Sequence, residues 1–197
     1  MTKSLDPRLD ATRSQALSTA LRLLEEKGMM AVTHGAISGA TGISRSTLYR
    51  HWPDLAVLRN ATIARAATVP NAAARTNGPL KTDLIWILGT LMTALNETRW
   101  GNIAPQVIAA AATDPAARDL LGNWIKDRSK DVTTVFEAAI KRGEIADSPA
   151  IPQMVELAIA VPYFRRFVAG ETLDHTWLDR HVAMICELAT GSQGPEG

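Results

Sequence analysis

Cysteine is almost missing from this chain. Cys186 is the only one in 197 residues, which excludes an internal disulfide and a cysteine metal cluster. No run of about 18 apolar residues occurs, so no membrane-spanning helix is expected. The opening Met1-Thr2-Lys3-Ser4-Leu5-Asp6-Pro7 lacks the apolar core of a signal peptide. A cytoplasmic protein is the expectation. Strand signals are scarce as well: apolar and polar residues nowhere alternate for long, and no Asn-Gly or Asp-Gly pair joins two β-branched runs. Net charge is low too, at +1, while 46% of residues are apolar, a balance that suits a packed core rather than disorder. The charge is unevenly spread. Residues 1–60 hold eight Lys/Arg against five Asp/Glu, and the remainder holds thirteen against fifteen. That distribution permits a nucleic-acid partner at the N-terminal end without requiring one.

What is present is helical. Leu9, Arg13, Ala16, Leu17, Ala20, Leu21 and Leu24 recur at spacings of three and four, on one helical face that stops at Gly28. Thr33 offers an N-cap for a short second helix with Ala36, Ile37 and Ala40 inward, ending at Thr41-Gly42. Ser44 caps a third, with Leu48 inward and Pro53 breaking it after Trp52. A fourth starts near Asp54 and runs past Leu55, Leu58, Ile63 and Ala67 toward Pro70. Longer helices follow. One runs from Leu80 to a close near Trp100-Gly101, another from Ile103 to Thr113, and a third from Ala116 to Arg142 with Gly143 as its stop. Met154, Leu157, Ala158, Val161, Phe164 and Phe167 line a helix interrupted by Pro162 and ended by Gly170, and the last spans about Leu173 to Ala189. The expected fold is all-α. Three N-terminal helices are expected over 1–53, longer helices over 54–190, and a polar, glycine-rich, disordered tail over 191–197.

Two short helices joined by a tight glycine-containing turn suit a helix-turn-helix when another helix packs across them. On the third helix Ser44, Arg45, Ser46, Thr47, Tyr49, Arg50 and His51 are polar, and only Leu48 must face inward. So much hydrogen-bonding capacity on one short helix fits the major groove, which admits an α-helix. Backbone N–H groups behind Thr33 and Ser44 suit phosphate oxygens.

From Arg13 to Leu58 the sequence resembles the TetR (tetracycline-repressor-like) family. The resemblance rests on Lys27-Gly28, Val32-Thr33, Ala36-Ile37, Ala40-Thr41-Gly42-Ile43-Ser44 and Ser46-Thr47-Leu48-Tyr49-Arg50-His51-Trp52-Pro53. Arg142-Gly143-Glu144-Ile145, Phe164 to Val168 and Gly170 to Asp174 are compatible with the ligand-binding half of family members. The resemblance implies a helix-turn-helix DNA-binding domain over 1–53 and a helical ligand-binding and dimerisation domain over 54–190. It implies an all-helical homodimer that represses a palindromic double-stranded DNA operator and releases it when a small molecule binds. It implies Arg45, Ser46 and Arg50 at base edges, and Thr33, Ser44, Thr47, Tyr49 and His51 at phosphates. Many members carry a lysine where this chain has Leu55, so phosphate grip is expected to be weaker there, and Asp54 is expected to cap the fourth helix.

Trp86, Met92, Trp100, Phe136, Met154 and Tyr163 either line a cleft for an apolar or aromatic ligand or pack as plain core. Leu157, Val161, Phe164, Val168, Leu178, Val182 and Ile185, on the last two helices, are the expected dimer interface. His175 and His181 stand six apart, off a common helix face, so no metal site is expected, and no cofactor. His34 reads as an exposed histidine, Trp52 as core and Cys186 as a small apolar residue. An enzyme finds no support, since there is no nucleophile elbow, phosphate-cradling glycine loop or metal-ligand spacing. The remaining alternative is a dimeric small-molecule-binding protein with weak or lost DNA binding, for which Leu55 is the hint.

Overall fold

A computed structural model describes residues 7–66 and 74–191. The expected stretch from Ala67 to Pro70, the first six residues and the tail beyond Gly191 lie outside the described residues. Among those described there are nine α-helices and no strand, so the chain is all-α as expected. No helix among them is long and apolar enough to cross a membrane.

The chain divides into two compact units. Residues 1–69 and 99–122 form the first, and 70–98 with 123–197 the second. In the first unit α1 (Pro7–Lys27) packs against α2 (His34–Thr41), α4 (Leu55–Ala66) and α6 (Arg99–Ala111), while α3 (Arg45–His51) packs on α2. Of the face of α1 read from the sequence, Ala16, Leu17, Ala20, Leu21 and Leu24 are in the core, while Arg13 is exposed. Arg59 and Arg65 fasten α4 to its surroundings. Arg59 Nε donates to the Val32 carbonyl at 3.3 Å, and Arg65 Nη2 donates to the Ser14 and Ser18 hydroxyls at 3.3 Å each.

The second unit is built on α5 (Leu80–Glu97), α8 (Ile151–Tyr163) and α9 (His175–Gly191), which pack on one another. The long α7 (Pro115–Lys141) belongs to it from Asn123 onward. Gly143 closes α7 in a left-handed conformation, with the Gly143 N–H on the Ile140 carbonyl and the Glu144 N–H on the Ala139 carbonyl. Beyond that corner the Arg142 Nε donates to Glu144 at 2.6 Å, and the other Glu144 oxygen accepts the Leu80 N–H that opens α5. The arginine and the helix N–H together hold the Glu144 carboxyl below the usual carboxylate range.

Two boundaries differ from expectation. α5 does not close near Trp100-Gly101. It ends at Glu97, because Thr98 turns to extended backbone while its hydroxyl takes the Ala94 carbonyl at 2.7 Å, and Gly101 falls in the first turn of α6. Nor does Pro162 interrupt α8. The helix runs through Pro162 to Tyr163 and continues as a π-helical turn over Phe164–Val168, closed by the Ala169 N–H on the Phe164 carbonyl.

A proline has no N–H, so Pro162 leaves the Ala158 carbonyl without its helical donor. His181 of α9 fills the gap: its Nε2 lies 3.4 Å from that oxygen, and its ring stacks on Trp177 at 4.9 Å. Since the carbonyl only accepts, Nε2 carries the proton. Burial pushes the His181 imidazole below its usual range, only partly opposed by this hydrogen bond. The neutral ring is therefore favoured in the folded state, and the unfolded chain binds the proton more readily. The stability this confers is complete above about pH 6.5 and drains as pH falls below it. Thermal unfolding followed from pH 7 to pH 5 should show a steady loss in the parent chain. His181→Gln, which keeps a donor but does not titrate, should show a shallower one.

Candidate nucleic-acid interface

Local chemistry sets the shape of α2, the turn and α3. Thr33 is extended and its hydroxyl oxygen accepts the Ala36 N–H at 3.1 Å, which starts α2. Ile37 anchors α2 in the core, while Ala40, expected inward, is exposed. Thr41 knits the exit: its hydroxyl donates to the Ile37 carbonyl at 2.7 Å and accepts the Ile43 N–H at 3.2 Å. Gly42 then takes φ +74°, a left-handed turn that costs glycine little, with its N–H on the Ser38 carbonyl. The Ser44 hydroxyl accepts the Thr47 N–H at 3.2 Å and lies 2.9 Å from both the Ser46 and Thr47 hydroxyls. Leu48 is fully buried, and the Trp52 N–H closes the helix on the Leu48 carbonyl.

With Leu48 as the anchor, Arg45, Ser46, Tyr49 and Arg50 stand exposed, and Thr47 and His51 are half-buried. The His51 ring leans on Trp52, and its Nε2 is buried without a hydrogen-bond partner. Arg45 reaches back across the turn. A Cβ placed on Gly35 would stand 3.3 Å from its Nη2, so the guanidinium rests on the first turn of α2 where a larger side chain would crowd it. That turn also carries the His34 and Gly35 N–H groups, which precede the first intrahelical acceptor.

His34 departs from expectation. It is 2% exposed, not solvent-facing. Its Nε2–H donates to the Trp52 carbonyl at 2.8 Å, and its ring stacks under Tyr49 with centroids 4.1 Å apart. The cause lies in Pro53: a helix stopped there leaves its last carbonyls without donors, and His34 supplies one. His34 thereby positions Tyr49. Asp54 acts as expected, its carboxylate accepting the Val57 N–H at 2.8 Å at the start of α4, and the neighbouring Leu55 is exposed.

A helix that is polar outside and pinned by one leucine and one tryptophan is the architecture to compare with known proteins. Residues 16–62 match the family model for bacterial regulatory proteins of the tetR family, and residues 74–185 match that of the tetracycline-repressor-like C-terminal domain. The chain is a TetR-family transcriptional regulator. An uncharacterised HTH-type regulator of Mycobacterium tuberculosis is 28% identical over 160 residues, covering 79% of this chain and 76% of that one. The HTH-type regulator YdeS of Bacillus subtilis is 24% identical over 173 residues, covering 87% and 86%. Among solved structures, Salmonella enterica GusR superposes with a TM-score of 0.74 at 20% identity, covering 95% of this chain and 99% of that one. A Saccharomonospora viridis regulator in complex with choline superposes at 0.68 and 18% identity, covering 90% and 96%. Both share the fold.

In this TetR-family chain the six aromatic and Met candidates are divided between the two units. Trp100 is buried on α6 in the first unit. Met92, Phe136 and Met154 are buried in the second, and Trp86 lies half-buried beneath the Arg75 guanidinium, 3.3 Å from its ring centroid. Tyr163, also half-buried, meets Trp124 edge-on at 5.5 Å and Phe167 at 5.8 Å. Arg128, one turn beyond Trp124, went unnoticed in the sequence. Its only signal is the four-residue spacing of a tryptophan and an arginine on one helix face. The interface candidates also divide. Leu178, Val182 and Ile185 are buried in the protomer's own core and have no surface to offer a partner. Leu157, Phe164 (59% exposed) and Val168 (72% exposed) are open, Val161 is half-buried, and Met184 and Leu188 are the exposed apolar residues of α9. Cys186 is half-buried, and burial pushes its thiol up, which keeps thiolate scarce. Among the described residues no group of three His, Cys, Asp or Glu could hold a metal.

Proposed function

We propose that this regulator is a ligand-responsive repressor that binds a palindromic operator as a homodimer. One observation carries the reading. α3 exposes Arg45, Ser46, Tyr49 and Arg50 on a helix whose inward contact is Leu48, beside the Thr33-capped start of α2. The first turn of α2 and the Arg45 guanidinium share one location, which supports Arg45, Thr33 and the nearby Tyr49 as a phosphate clamp. Arg50 and Ser46, with Thr47 and His51 at the margin, are left for base edges and further backbone contacts. The second unit supports pairing through Leu157, Phe164, Val168, Met184 and Leu188, apolar side chains that a monomer would leave in water. The Saccharomonospora viridis regulator is in complex with choline, which supports a small-molecule effector for this regulator.

The test is selection of genomic fragments on the purified protein, followed by affinity measurement from 50 to 200 mM salt. A palindromic site should be enriched, and affinity should fall about 10³–10⁵-fold if six to ten phosphates are held. No enrichment over bulk DNA would sink the repressor reading. A monomer in light scattering at micromolar concentration would sink the dimer. Exposed Leu55, which offers no cation to a phosphate at the start of α4, favours a second reading of ligand binding with weak DNA contact. That reading predicts no enriched site but retained effector binding.

A further inference from the structure

The second unit carries a charge that nothing among the described residues fully answers. Arg128 sits in the middle of α7 with 4% of its surface exposed, and its Nη1 is buried without a hydrogen-bond partner. Its guanidinium carbon lies 5.5 Å from the centroid of the Trp124 ring, and Trp124 meets Tyr163 edge-on, with Phe167 next in line. Burial pulls the guanidinium below its usual range, against smaller supporting influences from Tyr163 and Asp131. An arginine keeps its proton in such a place, so the cost appears as an unsatisfied charge. A buried charge lacking a partner is rare unless something else completes it.

We propose that Arg128 is the recognition group for an organic carboxylate effector whose flat or apolar body lies against Trp124, Tyr163 and Phe167. The proposal rests on the reading of this half as the effector-binding half. A planar guanidinium presents parallel N–H donors that match the two oxygens of a carboxylate. A neutral carbonyl could accept one N–H but would leave the positive charge uncompensated, and a cation would be repelled. Trp124, Tyr163 and Phe167 present aromatic faces and edges beside the guanidinium, which favour a ring or chain over a small polar acid. The Tyr163 hydroxyl adds one polar handle on α8, directly before the π-helical turn of Phe164–Val168.

Calorimetry on the full chain tests this with 1-naphthoate and decanoate as probes, each beside its uncharged amide. The carboxylates should bind at least tenfold more tightly than their amides. Arg128→Met should erase that preference and leave amide binding unchanged, and Arg128→Lys should restore part of it. Unliganded Arg128→Met should melt no lower than the parent, because it removes a charge without a full set of partners. A structural role for Arg128 predicts the opposite, a clear fall in Tm. If neither carboxylate binds, if amides bind equally, or if the preference survives in Arg128→Met, the proposal falls. DNA retention measured on the same samples separates the two readings. A protein that holds its operator and releases it only with a neutral compound keeps the repressor reading and loses this one. Arg128-dependent carboxylate binding without any operator does the reverse.

Discussion

Replacing Trp52 with alanine is expected to lower the stability of the first unit by about 3–5 kcal/mol, the range for deleting a large buried aromatic. Trp52 is 1% exposed and stands where three constraints meet. Its N–H ends α3 on the Leu48 carbonyl, its carbonyl accepts from His34, and its ring is the surface on which His51 leans. Truncation leaves a cavity behind α3 while Pro53 still forbids the helix from extending to refill it. With net stabilities of roughly 5–15 kcal/mol, such a loss takes much of what the unit has. Denaturant unfolding followed by circular dichroism measures it, and DNA retention should be lost in parallel. A cost below about 1 kcal/mol would show that the site collapses around the missing ring, and that Trp52 does not hold α3 in place.

Trp52 was legible in the sequence for the same reason that Thr33, Gly42, Ser44 and Leu48 were. Each has a backbone or capping partner within four residues: the Thr33 and Ser44 caps bond three residues ahead, Gly42 bonds four behind, and the Trp52 N–H bonds the Leu48 carbonyl. His34 was not legible, because its partner Trp52 is eighteen residues away and is reached only once α3 has folded back on α2. His181 was hidden in the same way by a carbonyl twenty-three residues distant. Pro162 announced that some carbonyl would be freed, but not which side chain would take it. The apolar stripe of α9 poses a different problem. Spacing shows that Leu178, Val182 and Ile185 share a face, yet it does not say whether the body covering that face is the same chain or a second copy. Here it is the same chain, and the outward apolar residues are Met184 and Leu188. Glycine misled at Gly101, since it served as an early helical residue of α6 rather than a stop.

Alanine at Arg45 and at Arg50 should weaken DNA binding in two distinguishable ways. Arg50 is exposed on α3, and on the proposed reading it gives a bidentate bond to a base edge, worth about 1–3 kcal/mol of discrimination. In a two-fold dimer the loss counts twice, so Arg50→Ala should cost about 2–6 kcal/mol on the selected site. Binding to unrelated DNA should hardly change. Arg45 rests on Gly35 at the start of α2, where helix N–H groups favour a phosphate. Its removal should weaken selected and unrelated DNA alike, and should flatten the dependence of log affinity on log salt by about 0.9 per half-site. Gel-shift titrations of both variants on both DNAs across a salt series decide the matter. If Arg45→Ala abolishes the preference for the selected site at an unchanged salt slope, the guanidinium leaves Gly35 on binding and reads a base. Gly35→Ala provides the internal control: its added Cβ meets only the flexible end of the exposed Arg45, which gives by a few tenths of an ångström, so binding to both DNAs should change far less than in Arg45→Ala.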